Sequence, residues 1–242
     1  LVYLLRSDGH DIKFVKKYKI YKPLTLPVFY DKKIEDNKKY VSKLLCKEDF
    51  NNHDTIIIKS CTGTGKTTSI ANHMEAYLEE NPDINFLTLT TRTTLSEQHV
   101  KSFENINLKS YQKVNANSAK HLTLCLNSLH ILKISDKIKE TIVYIDEITS
   151  FLDFTHNETL DDNIQTIYTM LIDIIKHSKK VIVSDALIND NVINFLKHRR
   201  KGELQTLYIN NTFKKYEGIQ AYRIRDEAKL LEQLLTHIRK NE

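Results

Sequence analysis

The segment Ser60–Thr67, with the sequence SCTGTGKT, carries the residue types of a phosphate-binding loop. The chain has only five glycines among 242 residues, and two of them, Gly63 and Gly65, precede Lys66. Glycine allows a positive φ and a close approach, so successive backbone N–H groups can point at phosphate oxygens. The strict pattern G-x-x-x-x-G-K-[ST] has glycine where this chain has Ser60. Because a β-branched run precedes the segment and a helical stretch follows it, we interpret it as a phosphate loop rather than a glycine turn with an incidental lysine.

Each position of this loop then has an expected role. The N-terminal dipole of the following helix, equivalent to roughly half a positive charge, favours an anion. Lys66 is expected to bridge the outer phosphates, and the hydroxyl of Thr67 to bind Mg²⁺. The predicted phosphate-binding residues are Cys61, Thr62, Gly63, Thr64, Gly65, Lys66, Thr67 and Thr68. The cofactors that this chemistry predicts are ATP and Mg²⁺.

Two adjacent carboxylates, Asp146 and Glu147, follow the apolar run Thr141–Ile145. A nucleotide loop needs a carboxylate for its metal, and we expect that carboxylate at the end of a neighbouring strand. Successive side chains of a strand point in opposite directions. Asp146 is therefore predicted to hold Mg²⁺ with Thr67, and Glu147 to orient the water that attacks the γ-phosphate. The alternative is an acidic pair that begins the next helix. The predicted catalytic residues are Lys66, Asp146 and Glu147.

Short β-branched runs alternate with helical patterns along the chain. Near-continuous apolar strands are typical of a parallel sheet covered on both faces. Residues 164–175 place apolar side chains at the i, i+3, i+4 and i+7 spacing of a buried helix. The predicted fold class is therefore α/β, a doubly wound parallel sheet of the P-loop NTPase type with helices on both faces. The predicted strands are Thr55–Lys59, Phe86–Thr91, Leu122–Leu126, Thr141–Ile145, Lys180–Ser184 and Gln205–Ile209.

The composition is that of an ordinary globular protein, with 40% hydrophobic and 28% charged residues. No apolar run approaches the roughly 18 residues that span a bilayer, so we expect no membrane partner. The cysteines, Cys46, Cys61 and Cys125, lack paired spacing, which favours a reducing intracellular compartment. The net charge of +5 permits nucleic-acid binding without demonstrating it. Basic clusters such as Lys32–Lys43 and Lys197–Lys201 are interpreted as solvated surface or phosphate contacts.

Five segments, in this order, resemble the motifs of superfamily 2 (DEAD-like) helicases, and most specifically the viral family of herpesvirus-type replication origin-binding proteins. They are SCTGTGKT (Ser60–Thr67), FLTLTTRTTLSEQ (Phe86–Gln98), LTLCLNSLHIL (Leu122–Leu132), IDEITSF (Ile145–Phe151) and VIVSDAL (Val181–Leu187). The first and fourth are specific, and the others gain weight from their order and spacing. The resemblance covers residues from about 56 to 209. It implies the first RecA-like domain of an ATP-hydrolysing DNA helicase that acts in viral DNA replication.

The resemblance also implies roles for two further groups of residues. The residues that would contact the nucleic-acid backbone are Thr91, Arg92, Thr93, Asn127 and Ser128. Hydroxyls and a guanidinium suit phosphate oxygens better than bases. The alternative for both segments is a polar loop that caps a helix, with Thr94 or Ser96 as the first cap. Ser184 and Asp185 occupy the place of a Ser-Ala-Thr motif that couples hydrolysis to strand separation, and the aspartate departs from that motif.

Three regions are predicted along the chain. Residues 1–54 are expected to form a lead-in that packs beside the sheet, and residues 55–217 the RecA-like ATP-binding domain. Residues 218–242, with a strand at 219–224 and the helix Asp226–Arg239, are expected to begin a second RecA-like domain. Since the chain does not begin with Met, we expect it to be part of a longer protein.

The expected partners are DNA, as a single strand or an origin duplex, and the second helicase domain, which supplies arginine fingers. The isolated chain is therefore expected to be weakly active. The resemblance implies a viral replication compartment in the host nucleus or cytoplasm. Two other classes of protein stay open: a different P-loop ATPase, such as an AAA+ or packaging motor, and a non-catalytic nucleotide-binding module.

Overall fold

The computed structural model describes residues 30–133, 136–154, 163–200, 204–215, 217 and 227–240. In this part of the chain, eight strands form one sheet in which every pairing is parallel. The strands are β1 (Lys32–Asp36), β2 (Thr55–Lys59), β3 (Asn85–Thr90), β4 (Lys109–Ser110), β5 (His121–Cys125), β6 (Thr141–Asp146), β7 (Lys180–Asp185) and β8 (Thr206–Asn211). Their order in the sheet is β1-β8-β2-β7-β6-β3-β5-β4. The predicted parallel α/β sheet is confirmed.

Along the chain, the α-helices of the described ranges lie between these strands or after the last of them. They are α1 (Lys47–Asn52), α2 (Lys66–Glu80), α3 (Thr93–Ser102), α4 (Ile148–Phe154), α5 (Ile164–His177), α6 (Asp190–Arg199) and α7 (Glu227–Lys240). Short 3₁₀ helices occupy Val41–Lys43, Glu104–Ile106, Leu126–Ile131 and Asp136–Glu140. No helix among the described residues is long and apolar enough to cross a membrane.

Alternate side chains of the central strands enter two separate hydrophobic cores. Ile57 of β2 and Val183 of β7 pack on one face, together with apolar side chains of α4, α5 and α6. Ile56, Ile58 and Ile182 pack on the other face, with side chains of α1 and α2. Since successive residues of a strand point to opposite faces, a strand that is apolar at every position needs cover on both sides. The helices therefore lie on both faces, as predicted.

The N-terminal region differs from its prediction as a lead-in beside the sheet. Within it, β1 pairs with β8 from Lys32 opposite Leu207 to Asp36 opposite Asn211, so these residues belong to the sheet. The sequence KKIED does not have the apolar pattern of a buried strand because β1 is an edge strand with mostly exposed side chains. The two-residue β4 at the other edge was also not predicted. The predicted strand at 219–224 lies outside the described residues, and the domain boundaries stay predictions.

Two buried cations tie the chain together at the amino edge of the sheet. Arg200 is 4% exposed, so its assignment to a solvated or phosphate-binding basic cluster was wrong. Its guanidinium donates to the hydroxyl of Thr55 and to the carbonyls of Asp54, Ile175, Ser178 and Lys179. Lys180, 3% exposed, donates to the carbonyls of Phe50 and His53. Burial lowers the pKa of Lys180 to about 8 and that of Arg200 to about 10.

Candidate active site

The predicted phosphate loop lies at the carboxyl end of β2, where the connections to the two faces of the sheet diverge. β2 continues into α2, which packs on the face of Ile56 and Ile58. The adjacent strand β7 is followed by α6, which packs on the opposite face. In open parallel sheets, ligands bind at such a switch point, outside the carboxyl ends of the strands. The fold therefore places the loop at the expected position for a ligand site.

The backbone of the loop has the glycine conformations that the sequence predicts. Gly63 has φ 73° and Gly65 has φ 71°, both in the left-handed region, and Gly65 is the N-cap of α2. Lys66 Nζ donates to the carbonyls of Ser60, at 2.9 Å, and Cys61, at 3.0 Å. Burial lowers the pKa of Lys66 from its usual value, although the negative charge of Asp146 opposes this shift. The loop thus curves around its own lysine.

The contacts of Ser60 explain why this chain can depart from the strict glycine pattern. Its backbone N donates to the carbonyl of Asp185 at 3.0 Å, which fixes the end of β2 against β7. Its side chain is buried, with Oγ 2.7 Å from Thr64 Oγ1 and 2.9 Å from Asn211 Nδ2. A serine hydroxyl is accommodated here because it has hydrogen-bond partners on both sides.

Asp146 lies at the end of β6 and faces the loop, but β7 separates β6 from β2. The expectation of a directly neighbouring strand was wrong, since the carboxylate reaches across one intervening strand. Its Oδ2 is 3.5 Å from Thr67 Oγ1 and 3.5 Å from His99 Nε2, and its Oδ1 accepts from Ser184 Oγ at 2.6 Å. Burial alone would raise the pKa of Asp146, but the hydrogen bonds from His99 and Ser184 hold it below its usual value.

A hydroxyl and an ionised carboxylate side by side fit the proposed magnesium site. Both Thr67 and Asp146 offer the oxygen ligands that Mg²⁺ prefers. No group of three or more His, Cys, Asp or Glu side chains with metal-ligand spacing occurs among the described residues. Mg²⁺ is usually held by one or two protein oxygens together with substrate phosphates and water.

Glu147 begins a helix, as the alternative for the acidic pair predicts, and it also lies beside the candidate site. Its carbonyl accepts from the backbone N of Phe151 at 3.0 Å, so it does begin α4. Its side chain is exposed, and its φ of 54° lies in the left-handed region. A non-glycine residue held there costs about 1–3 kcal/mol, and such residues cluster at functional sites. The strained turn separates the side chain of Glu147 from the buried carboxylate of Asp146.

The two predicted coupling residues, Ser184 and Asp185, connect the other parts of the site. Ser184 Oγ donates to Asp146 and lies 2.9 Å from the hydroxyl of the buried Tyr144. Asp185 Oδ2 accepts from the backbone N of Thr149 at 2.8 Å, so its side chain caps the first turn of α4. The aspartate that departs from the Ser-Ala-Thr motif therefore has a defined structural role.

The predicted nucleic-acid contacts follow two adjacent strands at the same edge of the sheet. β3 and β5 pair with Thr90 opposite Cys125, and the segments 91–93 and 127–128 come after the carboxyl ends of these strands. Arg92 is exposed and is the N-cap of α3, which begins at Thr93 without a side-chain cap bond. Capping by Thr94 or Ser96 was therefore a wrong alternative. The contact with nucleic acid stays a prediction.

Sequence reasoning did not assign three residues that the structure places in or beside this site. Tyr40 lies next to the loop, with Cδ1 3.8 Å from where a Cβ on Gly65 would be. His99 is buried beside Asp146, and the spacing of Ser96, His99 and Phe103 on one helical face was the signal that could have indicated this. Asn211, at the end of β8, had no local signal.

These features define a P-loop domain of the RecA-like helicase class. The same fold occurs in the DEAD-box helicase Mss116 bound to single-stranded RNA and UDP-BeF, with a TM-score of 0.52 and 19% identity over 78% of this chain and 44% of that chain. It also occurs in the DUF1998 helicase MrfA, with a TM-score of 0.53 and 14% identity over 84% of this chain and 34% of that chain.

The chain belongs to the family described as origin of replication binding protein, whose model matches residues 39–237. An uncharacterized putative helicase, R8, of Acanthamoeba polyphaga mimivirus is 31% identical over 189 residues, covering 70% of this chain and 17% of the relative. The chain therefore spans less than a fifth of this relative. The resemblance to superfamily 2 helicases and to this viral family is confirmed.

Proposed function

We propose that this chain is the first motor domain of an ATP-dependent DNA helicase that acts in viral DNA replication. The observation that carries the proposal is the meeting of three groups at one edge of the sheet: the phosphate loop, the Thr67–Asp146 oxygen pair and the strained Glu147. Membership of the origin-binding family and the viral putative helicase among its relatives support this function. A nucleotide analogue and single-stranded RNA in the structure of Mss116 are consistent with the same chemistry.

In this proposal, each residue of the site acts on ATP in a defined way. Lys66 exchanges its contacts with two loop carbonyls for contacts with the outer phosphates. The hydroxyl of Thr67 and the carboxylate of Asp146 hold Mg²⁺, which neutralises charge on the phosphates when it is bound. His99 and Ser184 keep Asp146 ionised and oriented. Glu147 orients the attacking water.

Coupling to nucleic acid follows from the remaining residues of the same edge. The residues proposed to contact the nucleic-acid backbone are Thr91, Arg92, Thr93, Asn127 and Ser128. Ser184 and Asp185 link these events to hydrolysis, because they bond to Asp146 and to α4. Strand separation requires the second helicase domain as a partner, and the proposed location is a reducing viral replication compartment.

Titration of this chain with a fluorescent ATP analogue and Mg²⁺ tests the nucleotide site. Lys66→Ala is expected to raise the Kd by about 100-fold, because a charge-assisted contact with phosphate is lost. Lys113→Ala removes an exposed lysine elsewhere and is the matched control. Equal affinity of the wild-type chain and Lys66→Ala would contradict the proposal.

Hydrolysis by the full-length protein tests the helicase assignment itself. Single-stranded DNA is expected to stimulate hydrolysis, Arg92→Ala to weaken this stimulation, and Glu147→Gln to abolish turnover while nucleotide binding is retained. Stimulation by oligomerisation alone would indicate another P-loop ATPase. Binding without turnover in the wild-type protein would indicate a non-catalytic module.

A further inference from the structure

We infer that two residues of the segment Asn211–Lys215, Asn211 at the end of β8 and Lys215 after it, are part of the phosphate site. Asn211 is a positioning residue that holds the loop through Ser60, and Lys215 supplies a second cation to the phosphates of the nucleotide. The inference rests on the proposed function, since it requires a phosphate-bearing ligand in the loop.

The side-chain amide of Asn211 is buried, and all of its hydrogen-bond donors and acceptors have partners. Asn211 is 4% exposed. Its Nδ2 donates to the carbonyl of Lys38 at 2.8 Å and to Ser60 Oγ at 2.9 Å. Its Oδ1 accepts from the backbone N of Lys38 at 3.1 Å and of Phe213 at 3.2 Å. Two donors and two acceptors exhaust the hydrogen-bonding capacity of an asparagine side chain. The amide therefore has one orientation, and it joins three separate segments of the chain.

A chain of hydrogen bonds runs from Asn211 into the loop, and each group in it donates to the next. Thr64 Oγ1 is 2.8 Å from the carbonyl of Cys61, which can only accept, so the hydroxyl of Thr64 donates to it. Ser60 Oγ, 2.7 Å from Thr64 Oγ1, must then donate to that oxygen, and it accepts in turn from Asn211. Successive bonds of this kind in a buried site reinforce one another. The conformation between Ser60 and Thr64 is therefore tied to the end of β8.

Lys215 lies beside Gly63 of the loop. A Cβ built on Gly63 would be 3.4 Å from Lys215 Nζ, so the ammonium lies against the glycine whose φ is 73°. Lys66 is bound instead to the carbonyls of Ser60 and Cys61 at the beginning of the loop. Two cations thus contact different residues of a loop whose backbone suits phosphate oxygens.

The start of the segment is held in place independently of any ligand. Besides the bond from Phe213 to Asn211, the backbone N of Thr212 donates to the carbonyl of Asp36 at 2.8 Å, at the end of β1. These anchors fix the chain up to Phe213, two residues before Lys215, without a ligand, which reduces the entropy lost when a nucleotide binds.

Titration with Mg-ATP, ADP and AMP analogues tests the role of Lys215. Lys215→Ala is expected to raise the Kd for ATP by about tenfold and to affect AMP least, because the lost contact is with the outer phosphates. Lys215→Arg keeps the charge and should bind within about twofold of the wild type. The matched control is Lys214→Ala, which removes the charge of the adjacent exposed lysine.

Equal effects of Lys215→Ala and Lys214→Ala would overturn the role of Lys215. If Lys66→Ala alone loses binding, this inference fails while the proposed function stands. If the wild-type chain does not bind ATP, this inference and the proposed function both fail.

A double-mutant cycle tests the positioning role of Asn211. Ser60→Ala and Asn211→Ala both remove the bond between the two side chains, so each should weaken Mg-ATP binding by about threefold to tenfold. The double variant should bind more tightly than the product of the two single effects predicts, and fully additive effects would overturn the proposal. Arg200→Lys, which disturbs the opposite edge of the sheet, shows whether lost stability alone changes the Kd. Ser60→Ala leaves the other three bonds of Asn211 intact, so it decides the outcome if Asn211→Ala does not fold.

Discussion

Arg200 and Lys180 at the amino edge of the sheet and Lys66 at the carboxyl edge are all buried or partly buried cations, but their surroundings differ. Around Arg200 and Lys180, backbone carbonyls from several segments accept hydrogen bonds at once. At the carboxyl edge, Lys66 contacts two carbonyls of its own loop, and Asp146 has two partners at the long distance of 3.5 Å. A cation whose donors are fully used by the protein stabilises the fold. One that can exchange its partners can bind a ligand.

The largest effect on stability is expected from Arg200→Met. This change leaves several backbone carbonyls at the amino edge without a donor, so we expect the free energy of unfolding to fall by about 3–5 kcal/mol. Urea unfolding measures this. Arg199→Met is the matched control and should cost about 1 kcal/mol. Among the described residues, Arg199 has one hydrogen bond, at 3.5 Å to the hydroxyl of Tyr168, and its guanidinium lies over the ring of Phe195. A similar loss in both variants would remove the distinction between the two edges.

The pH dependence of stability should differ between the wild-type chain and Lys180→Met. Burial lowers the pKa of Lys180 to about 8 in the folded protein, whereas the unfolded chain has the ordinary value of 10.5. Between these values the unfolded state binds more protons, so this lysine makes the free energy of unfolding rise with pH, by at most about 1.4 kcal/mol per pH unit. Well below the folded-state pKa of about 8, where the lysine is protonated in both states, its contribution is constant.

Urea unfolding between about pH 7 and about pH 9.5, a range that contains that pKa, measures this difference. The wild-type chain should gain stability relative to Lys180→Met as the pH rises. Lys176→Met, which removes an exposed lysine of α5, should keep the wild-type slope. Parallel curves for all three proteins would show that the buried ammonium keeps its ordinary pKa.

The smallest expected effect on stability comes from removing the backbone strain of Glu147 at the carboxyl edge of the sheet. Glu147→Gly should raise the free energy of unfolding by about 1 kcal/mol, because glycine adopts the left-handed region without strain. Asn107→Gly is the matched control, since Asn107 has a φ of 58° but asparagine tolerates this region better. Thermal unfolding should therefore show a larger gain for Glu147→Gly. An equal or smaller gain would mean that Glu147 is not strained.

The sequence predicted the central part of the fold and the chemical groups of the site. The strands Thr55–Lys59 and Thr141–Ile145 were found as predicted or one residue longer, because buried parallel strands are apolar at successive positions. Gly63, Gly65 and Lys66 were recognised because a phosphate loop requires particular residue types at adjacent positions. In both cases the physical requirement is local, so it is visible in a short stretch of sequence.

The missed features depend on contacts between distant segments. Arg200 resembles any surface arginine until Asp54 and Ile175 are seen to surround it. Asn211 bonds to Ser60 across 151 positions, and no nearby residue indicates this contact. The charged strand β1 was missed because an edge strand keeps its backbone pairing while its side chains face water.

Asp185 has a consequence for how the site can move. Its carbonyl accepts from the backbone N of Ser60, and its carboxylate accepts from the backbone N of Thr149. The phosphate loop and α4 are thus attached to the same residue at the end of a central strand. Neither can shift relative to β7 without breaking a bond to Asp185. A nucleotide that displaces the loop would therefore either break the bond between Ser60 and Asp185 or move the end of β7, to which α4 is also bonded.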